Sequence, residues 1–362
     1  KQINIQSNQS AILDNDFKLL RHIDKVSNWL QNDFTYPIST SINLTNICNH
    51  RCPDCMVINM LHSTTHDKLT IPYDRACQII KELAQAGVKT INLGGGGDPS
   101  MYKELSKIIR LINSLGMECS VTTNATNLSD EDIQTFAECC SWVRISLDAD
   151  SPEIYKLTHA QSEKSFNKTI NNIKHICDYK KAIKSEIEVS TAYLVGPHTI
   201  KGISNFVNLS KSLGVDHVRI RPFFTHGDEK PFTEEDISKI DTEYEKSMKL
   251  DADNFKVYFS YERMDAVLDT KVYKIPPCNI HHFHAQISSD QKMWVCCHHL
   301  DVDGFCVGDL TDKTFEEVWK SDQRKRVYQN INYSQCPTPC QYHRSNELLD
   351  KLSTPIKHKN FV

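Results

Sequence analysis

The 362-residue sequence predicts an α/β fold, a parallel sheet of βα units followed by a small cysteine-bearing C-terminal segment. Three observations carry this expectation. From Ser39 onward, short β-rich runs alternate with amphipathic helical stretches, six times over. The helical stretches have recognisable ends. Of the fourteen cysteines, seven fall into two groups with ligand-like spacing, one after the first β run and the other near the C-terminus.

Taken in order, residues 1–38 read as a polar arm with one amphipathic helix over about Phe17–Gln31. The expected strands are Ser41–Leu44, Thr90–Leu93, Glu118–Thr123, Trp142–Leu147, Glu186–Tyr193 and His217–Pro222. Between them Pro72 opens a helix that stops near Gly87, and Gly116 follows another. Ser129 is an N-cap with Asp132 three residues on, and Gly214 ends the helix after Ile200. Residues 39–230 therefore form the sheet-bearing unit. Residues 231–277 connect, with a helix over Glu234–Leu250 and an edge strand over Asn254–Ser260. Residues 278–362 are short, loop-rich and cysteine-bearing, and a segment that small has little core of its own, the kind of unit that leans on a metal. Parallel sheets of this kind bind ligands at the carboxyl ends of their strands.

Composition narrows the function classes. A net charge of −4 with no Lys/Arg run gives no field for nucleic acid, and no stretch resembles a membrane span. The polar N-terminus lacks an apolar signal region, so the expected location is cytoplasmic. Clustered cysteines in a long chain of this type point to metal or redox chemistry rather than to a disulfide scaffold. Cys77, Cys119, Cys139, Cys140, Cys177, Cys297 and Cys306 lie mostly in amphipathic or apolar contexts and read mainly as small buried hydrophobes.

Cys48-Asn-His-Arg-Cys52-Pro-Asp-Cys55 places three thiols within eight residues on a loop. A zinc site wants four protein ligands. Three thiolates leave an iron of a [4Fe–4S] cluster open to a substrate. A zinc knuckle of these cysteines with His50 or His62 is the competing reading. Further on come Gly94-Gly95-Gly96-Gly97-Asp98-Pro99, Thr122-Thr123-Asn124 and Ile145-Ser146-Leu147-Asp148, each at the end of an expected strand.

With these motifs in place, the sequence resembles the radical S-adenosylmethionine (SAM) superfamily, whose signature is C-x3-C-x2-C after the first strand of a partial (βα)6 TIM-like barrel. The resemblance covers about residues 39–225. It implies a [4Fe–4S] cluster on Cys48, Cys52 and Cys55. It also implies SAM held by Gly95, Gly96, Gly97 and Asp98, by Asn124 and Ser146, and by a basic residue, Lys156 or His159. Ala125 replaces a usual Gly, and Asp54 a usual aromatic. The implied activity is reductive cleavage of SAM to methionine and a 5′-deoxyadenosyl radical, which abstracts hydrogen from an unactivated C–H bond. A flavodoxin- or ferredoxin-type protein is the implied electron donor.

The C-terminal segment resembles the SPASM/Twitch extension of that superfamily. Cys278 precedes a hairpin over Gln286–Val295, Cys296 closes it, and Gly308-Asp309-Leu310, a helix with Trp319, and Cys336-Pro-Thr-Pro-Cys340 follow. The resemblance implies one auxiliary [4Fe–4S] cluster on Cys278, Cys296, Cys336 and Cys340. Cys297 rivals Cys296, Gln291 stands where Gly is usual, and the longer pattern of a second auxiliary cluster is absent. A zinc site drawing on His281, His282, His298 or His299 is the alternative. Auxiliary clusters in the family accompany oxidation or epimerisation, and Cys177, Cys297 and Cys306 are candidate hydrogen donors for the latter. The short N-terminal arm favours a small polar substrate (sugar, cyclitol or nucleoside) over a ribosomally made peptide, the alternative class. A non-catalytic iron–sulfur or zinc protein is the remote third reading.

Overall fold

The computed structural model describes residues 16–57, 68–223, 232–268 and 274–357; His62 lies outside them. The arm is not one α-helix. A 3-10 stretch, Asp16–His22, leads into α1, Ile23–Asn32, whose buried Val26 and Trp29 pack on Phe283 and Leu349 of the C-terminal segment.

The sheet-bearing unit then runs β1 (Ser39–Ile42), α2 (Tyr73–Gln85), β2 (Thr90–Leu93), α3 (Leu105–Ser114), β3 (Glu118–Thr123), α4 (Asp130–Cys139), β4 (Cys140–Ser146), α5 (Pro152–His159), α6 (Glu163–Ile183), β5 (Glu188–Val195), α7 (Ile203–Leu213) and β6 (His217–Pro222). The expected strands are all present, three with the expected bounds and three displaced by one or two residues. The Ser129 cap forms a full capping box with Asp132, an arrangement worth about 1 kcal/mol. After α8 (Glu234–Met248), β7 (Lys256–Phe259) and α9 (Tyr261–Leu268) come β8 (His284–Ile287), β9 (Lys292–Trp294) and β10 (Cys306–Asp309). The chain ends in α10 (Phe315–Trp319), α11 (Asp322–Gln329) and α12 (His343–Ser353).

Among the described residues the strands form one sheet of ten in the order β10-β9-β8-β1-β2-β3-β4-β5-β6-β7. β1 to β7 are parallel neighbours, as expected. The expected C-terminal hairpin is present as β8 and β9, but it does not stand apart: β8 lies parallel to β1, with Ser39 opposite His284 and Ile42 opposite Ile287. Gln291, in the hairpin turn, has φ +64°, which explains why a glycine would suit that position.

Side chains alternate across a strand. Ile42, Ile91, Leu93, Val121, Val143, Ile145, Val218, Ile220, Val257 and Phe259 join the helices in a single apolar core. The alternate positions carry polar groups on the other face. Asn92 Nδ2 donates to Ser120 Oγ at 2.9 Å, Arg144 Nη2 donates to Thr122 Oγ1 at 3.3 Å, and Ser39 Oγ lies 2.8 Å from His284 Nδ1. With its helices on one face, the sheet turns a polar inner surface away from the core.

Candidate active site

The first thiol site sits on the loop after β1. Cys48, Cys52 and Cys55 are partly buried and free, and the Cys55 N–H donates to the Cys52 carbonyl at 3.3 Å, turning the loop back on itself. Burial, and for Cys48 the Asp98 carboxylate, raise all three thiols. Cys48 is pushed up to about 11, opposed by the His50 N–H that donates to its Sγ at 3.4 Å and, more weakly, by Arg51. Cys52 also meets the negative charge of Cys48, Cys55 and Asp148. Three crowded, buried thiols with so little cationic help suit an iron centre, which binds thiolates outright.

The glycine loop after β2 is closed down on this loop. Gly97 N–H donates to the Thr45 carbonyl at 2.9 Å, and Asp98 N–H to the Ile47 carbonyl at 3.0 Å. A Cβ on Gly97 would stand 2.2 Å from Ile47 O. Gly95 and Gly96 have φ of +89° and +72°, and a Cβ on either would press on the Asn43 side chain at 3.1 and 3.0 Å. These glycines are thus required by protein packing, in addition to any approach of a ligand.

Asp98 and Asn124 bind the strand ends together. Asp98 accepts from Ser100 N–H (2.9 Å), Ser100 Oγ (2.6 Å), Thr123 Oγ1 (2.9 Å) and Asn124 N–H (2.7 Å). Asn124 Nδ2 in turn donates to Asn49 Oδ1 of the cysteine loop at 2.8 Å. Ala125, where a glycine was expected, sits at φ +58°. The position keeps the left-handed conformation that explains that glycine.

Ser146 ends β4, and its carbonyl accepts from His159 Nε2 at 3.0 Å. Of the two basic candidates, α5 turns the buried His159 toward the strand ends and leaves Lys156 exposed. His50, Cys52 and His159 bring ligand atoms within 4.8 Å of one another, which revives the zinc alternative. However, the Ser146 carbonyl fixes the proton on His159 Nε2, and Nδ1 faces Thr158 Oγ1 at 2.9 Å. His159 therefore turns no lone pair toward a metal. Burial and neighbouring His50 lower His159 to about 3, so it is neutral.

The second thiol site is a cavity whose lining includes Cys278, Cys296, Cys336 and Cys340 together with His299 and Tyr342. All four expected ligands meet there, across more than sixty residues of sequence. Burial, with the like charge of Cys340 and Cys336, pushes Cys278 up to about 12, and burial with Cys340 pushes Cys336 to about 11. Cys297 is not among the residues lining this cavity; its Sγ meets Gln341 Nε2 at 3.0 Å and the neighbouring Cys296 thiol. Cys177 is buried in the helical core, and Cys306 lies on β10. The donor set of four convergent thiols fits an iron–sulfur cluster.

Sequence reasoning missed Asn43, Asn49 and Thr126, which support the glycine and cysteine loops. His50 Nε2 lies 3.0 Å from Thr126 Oγ1. It also missed a set of arginines on the inner face, although Arg219-Ile-Arg221 already carried the period-two signal.

Residues 42–209 match the radical SAM superfamily, and residues 278–342 match SPASM, an iron–sulfur cluster-binding domain. Among curated relatives, the chain is 29% identical over 112 residues to an S-adenosylmethionine-dependent nucleotide dehydratase of Lacinutrix mariniflava, covering 31% of this chain and 23% of that one. It is 27% identical over 189 residues to the GTP 3′,8-cyclase of Petrotoga mobilis, covering 50% and 55%. The chain thus spans about a quarter to a half of the length of these relatives. Among solved structures, Streptococcus suis SuiB bound to S-adenosylmethionine superposes with a TM-score of 0.65 at 14% identity, over 94% of this chain and 78% of that one. This last likeness is one of fold.

Proposed function

Because the chain carries a radical SAM domain and a SPASM iron–sulfur domain, we propose that it oxidises or epimerises a small polar substrate, nucleoside-like in character, at an unactivated C–H bond. The observation that supports this reading is the closure of the Gly94–Gly97 loop onto the three-thiol loop, which holds Cys48, Cys52 and Cys55 against the end of β2. A [4Fe–4S] cluster bound by Cys48, Cys52 and Cys55 would supply the electron that cleaves SAM to a 5′-deoxyadenosyl radical. The chain's own residues hold the reactants. Gly95–Gly97, Asn124 and Ser146 border the SAM position, with Asp98 fastening β2 to β3 beneath it. Cys278, Cys296, Cys336 and Cys340 would hold the auxiliary cluster. The polar inner face suits a hydroxyl-rich substrate, and two relatives in sequence are named for reactions of nucleotides.

The test is anaerobic reconstitution with dithionite and SAM. Wild-type protein should form 5′-deoxyadenosine. Replacing Cys48, Cys52 and Cys55 together with Ala should abolish it and remove roughly half the bound iron. Continued 5′-deoxyadenosine formation by the triple variant would overturn the assignment. Once a substrate is found, deuterated water separates the two outcomes: deuterium at a non-exchangeable carbon marks epimerisation, and a product two hydrogens lighter marks oxidation. Turnover of a ribosomal peptide in place of a small molecule would select the peptide-maturation alternative.

A further inference from the structure

His50 stands between Cys48 and Cys52 in the chain, and its ring is left unused by the cluster and SAM assignments above. The residue is 1% exposed, and its Nδ1 is buried without a hydrogen-bond partner. An unpaired polar atom at such depth is costly, and it persists where a further group completes it in the working protein. The ring is held at right angles to two others, with centres 5.9 Å from Tyr155 and 5.4 Å from His159, and Tyr155 stacks on His159 at 4.3 Å. A ring nitrogen of His50, Cys52 Sγ and a ring nitrogen of His159 all lie within 4.8 Å of one another. The His50 main-chain N–H already donates to Cys48 Sγ at 3.4 Å.

Hydrogen bonds on the other side of the ring decide which nitrogen carries the proton. Nε2 lies 3.0 Å from Thr126 Oγ1, which is 2.8 Å from Thr169 Oγ1, itself 3.1 Å from the Tyr155 hydroxyl. In the direction Tyr155 to Thr169 to Thr126 to Nε2, each hydroxyl donates once, no bond exceeds 3.1 Å, and Nε2 accepts. The opposite direction ends on the longer 3.3 Å bond from Thr169 Oγ1 to the Asn124 carbonyl, and it leaves Nδ1 a bare lone pair. The first direction puts the ring proton on Nδ1. His159 gives that proton no acceptor, because its own Nε2 donates to the Ser146 carbonyl at 3.0 Å and its Nδ1 faces Thr158 Oγ1 at 2.9 Å. Of the three groups brought together, only the Cys52 sulfur can receive it, and a thiolate receives it far better than a thiol.

We propose that His50 is a positioning residue of the first thiol site, its Nδ1–H donating to the Cys52 thiolate when iron is bound and thereby making the cluster easier to reduce. The proposal rests on the assignment of a [4Fe–4S] cluster to Cys48, Cys52 and Cys55 above. A hydrogen bond to a ligand sulfur offsets the negative charge that reduction adds, and so favours the reduced state. Cys52 also lies within electrostatic reach of the Asp148 carboxylate, which acts the other way. A donor aimed at this one ligand opposes that charge.

The experiment is a redox titration of the anaerobically reconstituted full chain, followed by electron paramagnetic resonance. The first cluster's signal is the one missing from the protein in which Cys48, Cys52 and Cys55 are all Ala. Two variants separate the two sides of the ring. His50→Gln keeps a polar atom where Nε2 meets Thr126 and removes the Nδ1 donor, whereas His50→Asn keeps a donor near the Nδ1 position and gives up Thr126. His50→Gln should shift the first cluster at least tenfold toward its oxidised form, about 59 mV for one electron. His50→Asn should hold the wild-type balance, and the second cluster should not move in either variant. An unchanged potential in His50→Gln overturns the proposal. So does an equal shift in both variants, a shift in His50→Asn alone, or a matching shift of the second cluster, since each makes the role one of packing or of the Thr126 contact. If the variants lose iron at the first site, the wild-type protein decides. Grown with 15N-histidine, it should show a weak 15N coupling and an exchangeable proton coupling on the first cluster's signal, and their absence overturns the proposal. A wild-type protein that forms no cluster on Cys48, Cys52 and Cys55 would instead refute the underlying assignment, which its iron content reports separately.

Discussion

Gly97→Ala puts the coupling of the glycine loop to the thiol loop under direct strain. The added Cβ would stand 2.2 Å from Ile47 O and 2.7 Å from Asn46 C and Ile47 C, all backbone atoms. Restoring ordinary contact requires the two loops to part by about 1 Å, since a backbone cannot swing aside as a side chain can. That movement breaks the 3.0 Å hydrogen bond from Asp98 N–H to Ile47 O. Overpacking of this kind costs about 1–3 kcal/mol, and the hydrogen bond adds about 1 kcal/mol. Misplacement of reacting groups by about 1 Å costs on the order of 10²-fold in rate. The expected result is a fall of that order in 5′-deoxyadenosine formation, with reduced iron at the first site and normal iron at the second. Gly116→Ala is the control. It meets nothing within 4 Å, so only its positive φ is penalised, by about 1–2 kcal/mol, and SAM cleavage should persist. A Gly97→Ala protein with full iron and wild-type cleavage would refute the reasoning.

Two further expectations follow from the other sites. Cys336→Ala and Cys340→Ala should retain some SAM cleavage while product formation drops at least tenfold further. Solubility and first-site iron are checked alongside because a metal-dependent segment can unfold without its ligands, and equal loss of both activities in a folded variant would refute the division of labour. His217 is buried beside Tyr258, and burial, aided by Arg219, lowers it to about 4. Its unfolded form takes up a proton near pH 6.5 while the native form does not, so stability falls as pH drops from about 6.5 toward 4. At pH 5.5 this cost is about 1 kcal/mol, read as the part of the decline in urea stability between pH 7.5 and 5.5 that His217→Gln removes. An identical decline in that variant would show that the ring is not buried neutral.

What the sequence determined by itself was local. The alternation of Val and Ile with polar residues gave the six strands, because a period of two sorts side chains to opposite faces wherever the strand sits. Spacing alone marked Cys48, Cys52 and Cys55, since three thiols on one short loop cannot lie far apart. Ser129 with Asp132 is likewise a contact between near neighbours. The tertiary structure decided whatever depends on which distant segments meet. It joined Cys278, Cys296, Cys336 and Cys340 around one cavity, turned Cys297 toward Gln341, and turned His159 rather than Lys156 to the end of β4. It paired β8 with β1, so that the C-terminal segment extends the sheet. It also brought Arg144, Arg221 and Arg263 from three elements within electrostatic reach of one another. In the sequence each arginine is an ordinary solvated charge, and only the register of β4 with β6 and the placement of α9 bring them together. Side-chain chemistry is written residue by residue, but the field at any point is a sum over atoms that the fold alone brings within a Debye length of one another.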